Sequence, residues 1–420
     1  MKVRIGCCRV VRWDDDRVEC LGFGDMKTVA TPGTRPVDLE LLDRTLRIRW
    51  GDGHRSVFHY IWLRDACRCP GCGEPSFGDK RIVLSELPRD LKPMSAHLGN
   101  AGELVVRWAP DGHESRYSGG WLRRHCYSRS ERERRRYRPT LWHGGEQPDL
   151  SRFHLPSVRE SDELRYQVLE RLHRYGLAIF TDASPDTGVE HAASLFGYLR
   201  ETNYGRVSDI KVEPVARTFA DLPQSAPLHT DDAFRVFPPG FIILHAVQPS
   251  ADGAGASLFL DGFEVMRRLR EQRPSAIELL ARAPIRFSRL HPGEDDFVLH
   301  GKMLRLDPEG EVSAVRLGLH NISPPDLDEE DVEPFYDALR RVDKMVRDPE
   351  LRIVRRLEAG ELVLLDNERV LHGRESFDGS GGRHIKNGFV DRDAFHSTWR
   401  VLCERLGYDE PKHWVFPGVR

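Results

Sequence analysis

Gly240-Phe241-Ile242-Ile243-Leu244-His245 and Ala256-Ser257-Leu258-Phe259-Leu260 are two short apolar runs joined by a Gly-rich turn, and their brevity decides the fold. Apolar runs this short, bounded by turn residues, read as buried strands. Upstream, Ser161-Asp162-Glu163 supplies a cap and two acids at the positive end of a helix dipole. Leu164, Val168, Leu169 and Leu172 then share one face, Gly176 stops the helix, and Leu177-Ala178-Ile179-Phe180 reads as a further strand. Downstream of Asp261 come two helical stretches, the second opened by Pro274-Ser275. Residues 333–346 form an amphipathic helix with Phe335, Leu339, Val342 and Val346 inward, and residues 361–365 another apolar strand. Strands and helices do not alternate one for one, so a doubly wound sheet does not fit. The pattern predicts an α+β chain whose larger part is a β-sandwich or jelly roll with helical buttresses.

Length and charge set the rest of the frame. At 420 residues the chain is long enough for two domains. Lys and Arg total 63 against 66 Asp and Glu, a net of −3, so there is no whole-chain basic footprint for nucleic acid. No apolar run approaches the ~20 residues that cross a bilayer. The first residues, MKVRIGCCRVVRWDDDR, carry charge in place of a signal-peptide core, and Asp14-Asp15-Asp16 argues against a transit peptide. A soluble, cytoplasmic protein without nucleic-acid or membrane partners is expected. The arginine-rich stretch from Leu122 to Arg138 reads as a solvated helix end or linker rather than a nucleic-acid patch. With the Pro- and Gly-bearing residues that follow, it sets the expected boundaries: a first domain over 1–137, a linker over 138–149 and a second domain over 150–420.

The first domain carries an internal repeat. At a constant offset, Asp52, Gly53, His54, Ser56, Phe58, Trp62 and Leu63 match Asp111, Gly112, His113, Ser115, Tyr117, Trp121 and Leu122. Each copy reads as a strand, an Asp-Gly turn and a second strand, so the domain is expected to be β-rich, built from two related hairpins. Directly after the first copy, Cys67, Cys69 and Cys72 crowd into Cys-Arg-Cys-Pro-Gly-Cys. These thiols are too close for unstrained mutual disulfides, and a tight loop can aim all three at one zinc ion, which wants about four ligands. His54, His97 and His113 are the candidates for the fourth, and spacing does not choose among them. Free thiols in a loop are the alternative.

In the second domain, Leu228-His229-Thr230-Asp231 supplies a His-X-Asp pair. In an extended strand, residues two apart face the same side, so imidazole and carboxylate can reach one ion. Far along the chain, the stretch from Asp366 to Arg374 is expected to end a strand with a second histidine, His372. Two histidines and a carboxylate on one face of a metal leave open positions, as in non-haem Fe(II) oxygenases. Those positions suit a bidentate co-substrate and O₂. Arg383, a short strand later, could clamp a dicarboxylate tail through paired hydrogen bonds.

His229-Thr230-Asp231, Pro238-Pro239-Gly240, Asp261-Gly262-Phe263, Asp366-Asn367, Leu371-His372-Gly373-Arg374 and Arg383-His384 together resemble the γ-butyrobetaine and trimethyllysine dioxygenases of the taurine dioxygenase-like group. Trp62-Leu63-Arg64-Asp65 with the three cysteines resembles their amino-terminal zinc domain. The resemblance runs collinearly from about residue 45. It implies a double-stranded β-helix, Fe(II) held by His229, Asp231 and His372, and the distal carboxylate of 2-oxoglutarate held by Arg383, with Arg392 as the fallback. It further implies a structural Zn(II) held by Cys67, Cys69, Cys72 and His113, ascorbate as an activator and a homodimer. Because Asp231 is kept, hydroxylation of a small-molecule substrate with release of succinate and CO₂ is expected rather than halogenation; desaturation or cyclisation would use the same ligands.

The substrate pocket departs from that pattern. A quaternary ammonium cannot donate hydrogen bonds and is held by ring faces. Tyr204 matches one cage tyrosine, but the tryptophan position reads Ser208 and the late tyrosine reads Phe389. Phe219 is a further cage candidate, and Asn321 is kept beside altered neighbours. Asp232, Phe234 and Arg235 follow the metal pair and are candidate substrate contacts, Arg235 for an anionic group. A small carboxylate, betaine or amino-acid-like substrate is therefore expected. The rival classes are a zinc hydrolase on the same three ligands and a non-catalytic zinc-dependent interaction module.

Overall fold

The computed structural model describes residues 35–74, 78–213, 216, 218–379 and 382–408. The amino-terminal stretch read for targeting signals, with Cys7, Cys8, Cys20 and Asp14–Asp16, lies outside them. Two compact units divide between Arg136 and Tyr137.

The first unit is built from two three-stranded antiparallel sheets, β1 (Pro36–Leu41), β2 (Thr45–Trp50) and β3 (Arg55–His59), then β4 (Pro93–Leu98), β5 (Leu104–Trp108) and β6 (Glu114–Tyr117). The repeat is visible in atomic detail. Gly53 and Gly112 take φ of 83° and 69° at the two turns, a left-handed conformation that glycine adopts freely. Asp52 and Asp111 accept from the backbone of His54 and His113 at 3.0 and 3.1 Å. Trp50 and Trp108 donate their indole N–H to Ser56 and Ser115 at 2.8 and 2.9 Å. Alternate strand residues, including Leu46, Ile48, Phe58, Leu104 and Val106, close one core. The arginine-rich stretch folds here as two short helices, Gly119–Arg124 and Arg129–Arg134, with buried Glu131 paired to Arg123 at 2.9 Å and Arg134 at 3.1 Å.

The second unit begins with β7 (Arg152–His154), β8 (Leu177–Thr181), β9 (Val207–Ile210), β10 (Ala226–His229), β11 (Phe241–Gln248) and β12 (Ser257–Asp261). Two hairpins follow, β13 (Ile285–His291) with β14 (Asp295–Gly301) and β15 (Leu304–Leu306) with β16 (Val312–Val315), then β17 (Ile353–Arg355), β18 (Leu362–Asp366), β19 (Val370–Arg374) and β20 (His384–Val390). A six-stranded sheet in the order β7-β8-β18-β11-β20-β9 accompanies a four-stranded sheet in the order β10-β19-β12-β17.

Period-two alternation explains why the central strands are apolar throughout. Leu177, Ile179, Ile242, Val363 and Leu365 share a core with Phe259, Ile353 and Val370 of the smaller sheet. Their neighbours Ala178, Phe180, Phe241, Ile243, Leu362 and Leu364 pack outward with the helices Asp162–Tyr175 and Arg392–Leu406. This is the expected jelly roll with buttresses. Ser161 caps the first of those helices and Gly176, at φ 73°, ends it. The helix expected over 333–346 spans Glu329–Arg347, with Phe335, Val342 and Val346 buried and Leu339 half-buried. None of the helices in the described residues is long and apolar enough to cross a membrane.

Two expectations change. Residues 138–149 are not a free linker: Trp142 is 2% exposed, donates its indole N–H to Tyr175 O at 2.8 Å and its backbone N–H to Asp261 at 3.2 Å. An indole in that stretch has more to gain from burial than from water. His372 also does not end a strand; a turn at Asn367–Arg369 reverses the chain and His372 sits in the middle of β19.

That turn is held by a buried ion pair. Arg369 and Asp261 are both sealed from solvent and joined at 3.1 and 2.7 Å, while Arg369 also donates to Arg174 O at 2.8 Å and Thr140 O at 2.6 Å. Arg369→Leu should destabilise the protein by about 3–5 kcal/mol, because it strands a buried carboxylate. Urea unfolding checks this, and an unchanged midpoint would contradict it.

Candidate functional site

The antiparallel register of β10 and β19 sets His229 directly opposite His372. The chain then turns out of β10 so that Asp231 reaches the same point. His229 Nε2 and His372 Nε2 stand 3.1 and 3.6 Å from Asp231 Oδ1, and the ligand atoms all lie within 4.8 Å of one another. Cis donors at about 2.1 Å on an octahedral ion stand roughly 3 Å apart, so the donor set fits one such ion. His229 Nδ1 donates to Pro227 O at 2.8 Å, which leaves the Nε2 lone pair facing the centre. His372 Nδ1 has no hydrogen-bond partner among the described residues.

Electrostatics favour the ligand forms of two members of the trio. Burial opposes ionisation of Asp231, but the His372 and His229 rings bring its pKa down to about 2. Burial lowers His372 to about 4, keeping it a neutral donor. Burial acts in the same direction on His229 but is outweighed by the Asp231 carboxylate, so that its pKa is raised.

A side-chain amide holds the loop in place. Asn367, in the turn between β18 and β19, accepts from the Asp231 backbone N–H at 2.7 Å and donates to Asp231 O at 3.1 Å and Pro239 O at 3.0 Å. Thr230 exchanges two further bonds with the Leu317 backbone, at 2.8 and 3.0 Å.

The trio opens into a cavity of about 650 Å³, a size that suits small ligands. Arg383 lines it 5.5 Å from the Phe377 ring, and no carboxylate among the described residues pairs with it. Burial, and then the neighbouring Arg374, lowers the Arg383 pKa to about 10. Such a guanidinium has the donors to take a carboxylate through paired hydrogen bonds.

Among the other expected contacts, Tyr204, Asp232, Phe234, Asn321 and Phe389 line the same cavity, as do Ser208 and Phe219. Asp232 does so at φ 54°, unusual for a residue with a side chain. Two arginines are elsewhere. Arg235 bonds Asp232 at 2.5 Å and covers the Phe297 ring at 4.8 Å. Arg392 is held by Asp366 at 2.5 Å and Glu368 at 3.1 Å, on the far side of the β18–β19 turn. Several lining residues went unassigned in the sequence reading: His320, stacked edge-on to His229 at 5.2 Å, Arg289, Arg374 and Asn387. Strand alternation from Arg383 was the one signal that could have placed Asn387.

In the first unit, His113 Nε2 lies 3.4, 3.7 and 3.4 Å from the sulfurs of Cys67, Cys69 and Cys72. A tetrahedral zinc with bonds of about 2.3 Å to sulfur and 2.0 Å to nitrogen separates such atoms by roughly 3.5 Å. His97 is exposed, and His54 Nε2 instead meets Cys126 Sγ at 3.5 Å. The repeat offset carries Cys67 onto Cys126, so each hairpin's histidine faces the cysteine that follows the other hairpin.

Residues 135–388 match the taurine catabolism dioxygenase TauD, TfdA family, and residues 37–109 match the gamma-butyrobetaine hydroxylase-like N-terminal family. Gamma-butyrobetaine dioxygenase of Pseudomonas sp. (strain AK-1) is 35% identical, covering 84% of this chain and 93% of the relative. The Homo sapiens protein of the same name is 27% identical, covering 86% and 95%, and mitochondrial trimethyllysine dioxygenase of Mus musculus is 28% identical, covering 82% of each. A solved asparagine oxygenase aligns at a TM-score of 0.45 and 18% identity over 56% of this chain and 83% of that one, too remote to assign anything by itself.

Asn367→Leu removes three hydrogen bonds behind Asp231. It should weaken ferrous-ion binding about 10–100-fold, measured by anaerobic titration; wild-type affinity would show that Asn367 does not hold the site. Cys69→Ser should lower both bound zinc, by elemental analysis, and the melting temperature. A zinc-free protein with an unchanged melting temperature would contradict a structural ion.

Proposed function

Because this chain belongs to the taurine catabolism dioxygenase TauD, TfdA family, we propose that His229, Asp231 and His372 hold one Fe(II) ion and that Arg383 holds the distal carboxylate of 2-oxoglutarate. The protein is a 2-oxoglutarate-dependent dioxygenase, and the reaction is hydroxylation of a C–H bond in a small carboxylate, betaine or amino-acid-like substrate. One observation carries the reading: a two-histidine, one-carboxylate donor set shares a cavity with a half-buried arginine that has no counter-ion among the described residues.

When bound, the ferrous ion with 2-oxoglutarate and O₂ supplies the oxidising power, releasing succinate and CO₂. The chain's own residues position the reactants. Arg383 offers a forked donor to a carboxylate, and stacking on Phe377 limits the directions in which it points. Asn367 and the Thr230–Leu317 bonds fix Asp231 so that the ligand set is preorganised. Phe234 and Phe389 give apolar walls that exclude water from the reacting carbon. Arg383 is preferred to Arg392, whose charge is already matched by two carboxylates. The same reading takes the cysteine–histidine cluster as a closed structural zinc site, ascorbate as an activator, a homodimer as the assembly and the cytoplasm as the compartment.

His229→Ala should abolish substrate-dependent succinate formation. Arg383→Leu should raise KM for 2-oxoglutarate by at least about tenfold, the loss expected when a charge-assisted pair is removed. Full activity in His229→Ala, or an unchanged KM in Arg383→Leu, would refute the respective assignment.

A further inference from the structure

The repeat in the first unit continues past its hairpins. The offset that carries His54 onto His113 and Cys67 onto Cys126 also carries Arg64 onto Arg123, Cys69 onto Ser128 and Cys72 onto Glu131. Every member of the cysteine–histidine cluster thus has an equivalent in a second set: His54, Cys126, Ser128 and Glu131, with Arg123 in the place of Arg64.

The backbone obeys the same equivalence. Cys67 and Cys126 each donate to the carbonyl three residues earlier, Arg64 O and Arg123 O, at 3.3 Å. Gly73 donates to Cys69 O and Arg132 to Ser128 O, both at 3.0 Å. The two loops therefore enter and turn alike, and it is their side chains that differ. His54 Nε2 meets Cys126 Sγ at 3.5 Å, as His113 Nε2 meets Cys67 Sγ at 3.4 Å. Arg123 pairs with Glu131 at 2.9 Å where Arg64 donates to Cys72 Sγ at 3.2 Å. Cys72 and Glu131 are each 4% exposed, so both positions face inward.

The differences remove two metal donors. A serine hydroxyl stays protonated at neutral pH and is a poor zinc ligand. Ser128 instead accepts from the Glu131 backbone N–H and from the Cys126 thiol, each at 3.4 Å. Glu131 is spent on Arg123 and, at 3.1 Å, on Arg134. Arg123 also pairs with Asp52 in the first hairpin's turn at 2.9 Å. Ion pairs thus tie the first hairpin to the loop after the second, the role that a metal would fill in the other set.

We propose that His54, Cys126 and positions 128 and 131 form a second metal position, equivalent by the repeat to the zinc site, which the wild-type chain closes with the Asp52–Arg123–Glu131 ion pairs and which takes a thiophilic divalent ion once sulfur is returned to it. The inference rests on the reading of Cys67, Cys69, Cys72 and His113 as a structural zinc site.

The test is elemental analysis of the full chain, reduced, equilibrated with zinc and desalted, with each variant compared to wild type. Ser128→Cys combined with Glu131→Cys should hold one zinc per chain more than wild type. Adding Cys126→Ser to that pair should remove the gain, whereas Cys126→Ser alone should leave the wild-type count unchanged. Where the double variant does not fold, Ser128→Cys alone serves: it restores three of the four donors and should bind one cadmium more than wild type, sulfur ligands favouring a soft ion. A folded variant without its extra ion, a gain that survives Cys126→Ser, or a wild-type count that falls in Cys126→Ser overturns the proposal. If Cys69→Ser leaves the wild-type zinc count unchanged, the structural-zinc reading itself falls and the proposal with it, and that comparison tells the outcome apart.

Discussion

The pairing of two short strands, β10 and β19, is the constraint on which the rest of the molecule depends. It places His229 across from His372, and a slip of one residue would turn one imidazole away from the other. The sequence protects the register in two ways. Any side chain at position 373 would put its Cβ 2.8 Å from Ala226 O and 3.1 Å from Leu228 N, so glycine is what lets the strands approach. Arg374, the next residue, donates to three carbonyls of the incoming loop, Ala220, Leu222 and Gln224, at 3.2, 2.5 and 2.7 Å. The strand that carries one histidine thus also anchors the segment leading to the other.

Behind this pair the turn at Asn367–Arg369 acts in two directions. Asn367 faces the loop after β10 and fixes Asp231, while Arg369 reaches back into the fold to Asp261, the residue that caps the helix Gly262–Gln272. Glu368 is matched by Arg305 at 2.8 Å and Arg392 at 3.1 Å. Burying this much charge is poor stabilisation against an apolar alternative, but each partner has a single good geometry. The turn is therefore set in one conformation, and the ligand loop with it.

The sequence exposed the elements with strong local signatures. The Ser161 cap, the Gly176 stop, the two Asp-Gly hairpins and the short apolar strands are all written in a few adjacent residues. The candidate trio was also visible, because His-X-Asp is local and His372 follows a readable strand. What stayed hidden depends on contacts between distant residues. Arg383 and Arg392 look alike in a string of letters, yet one faces a cavity and the other two carboxylates. Asn367 was noticed as part of a motif without a role, since its three bonds reach Asp231 and Pro239 across the fold. Trp142 lay in a stretch that composition alone marks as a linker. Among the three histidines, spacing made no choice; the family resemblance implied His113, and the crossed arrangement of the two hairpins gives the physical reason that His113 and not His54 meets the three cysteines.

The central claim is that three side chains from separate parts of the chain form one ferrous site with room for a keto acid. Anaerobic addition of 2-oxoglutarate to the Fe(II)-loaded protein tests it most directly, because a keto acid chelated to ferrous iron gives a visible charge-transfer band. A band that saturates with one iron per chain and is lost in His372→Ala is the predicted result. A protein that stays colourless with iron bound, or a band that persists without His372, would contradict it.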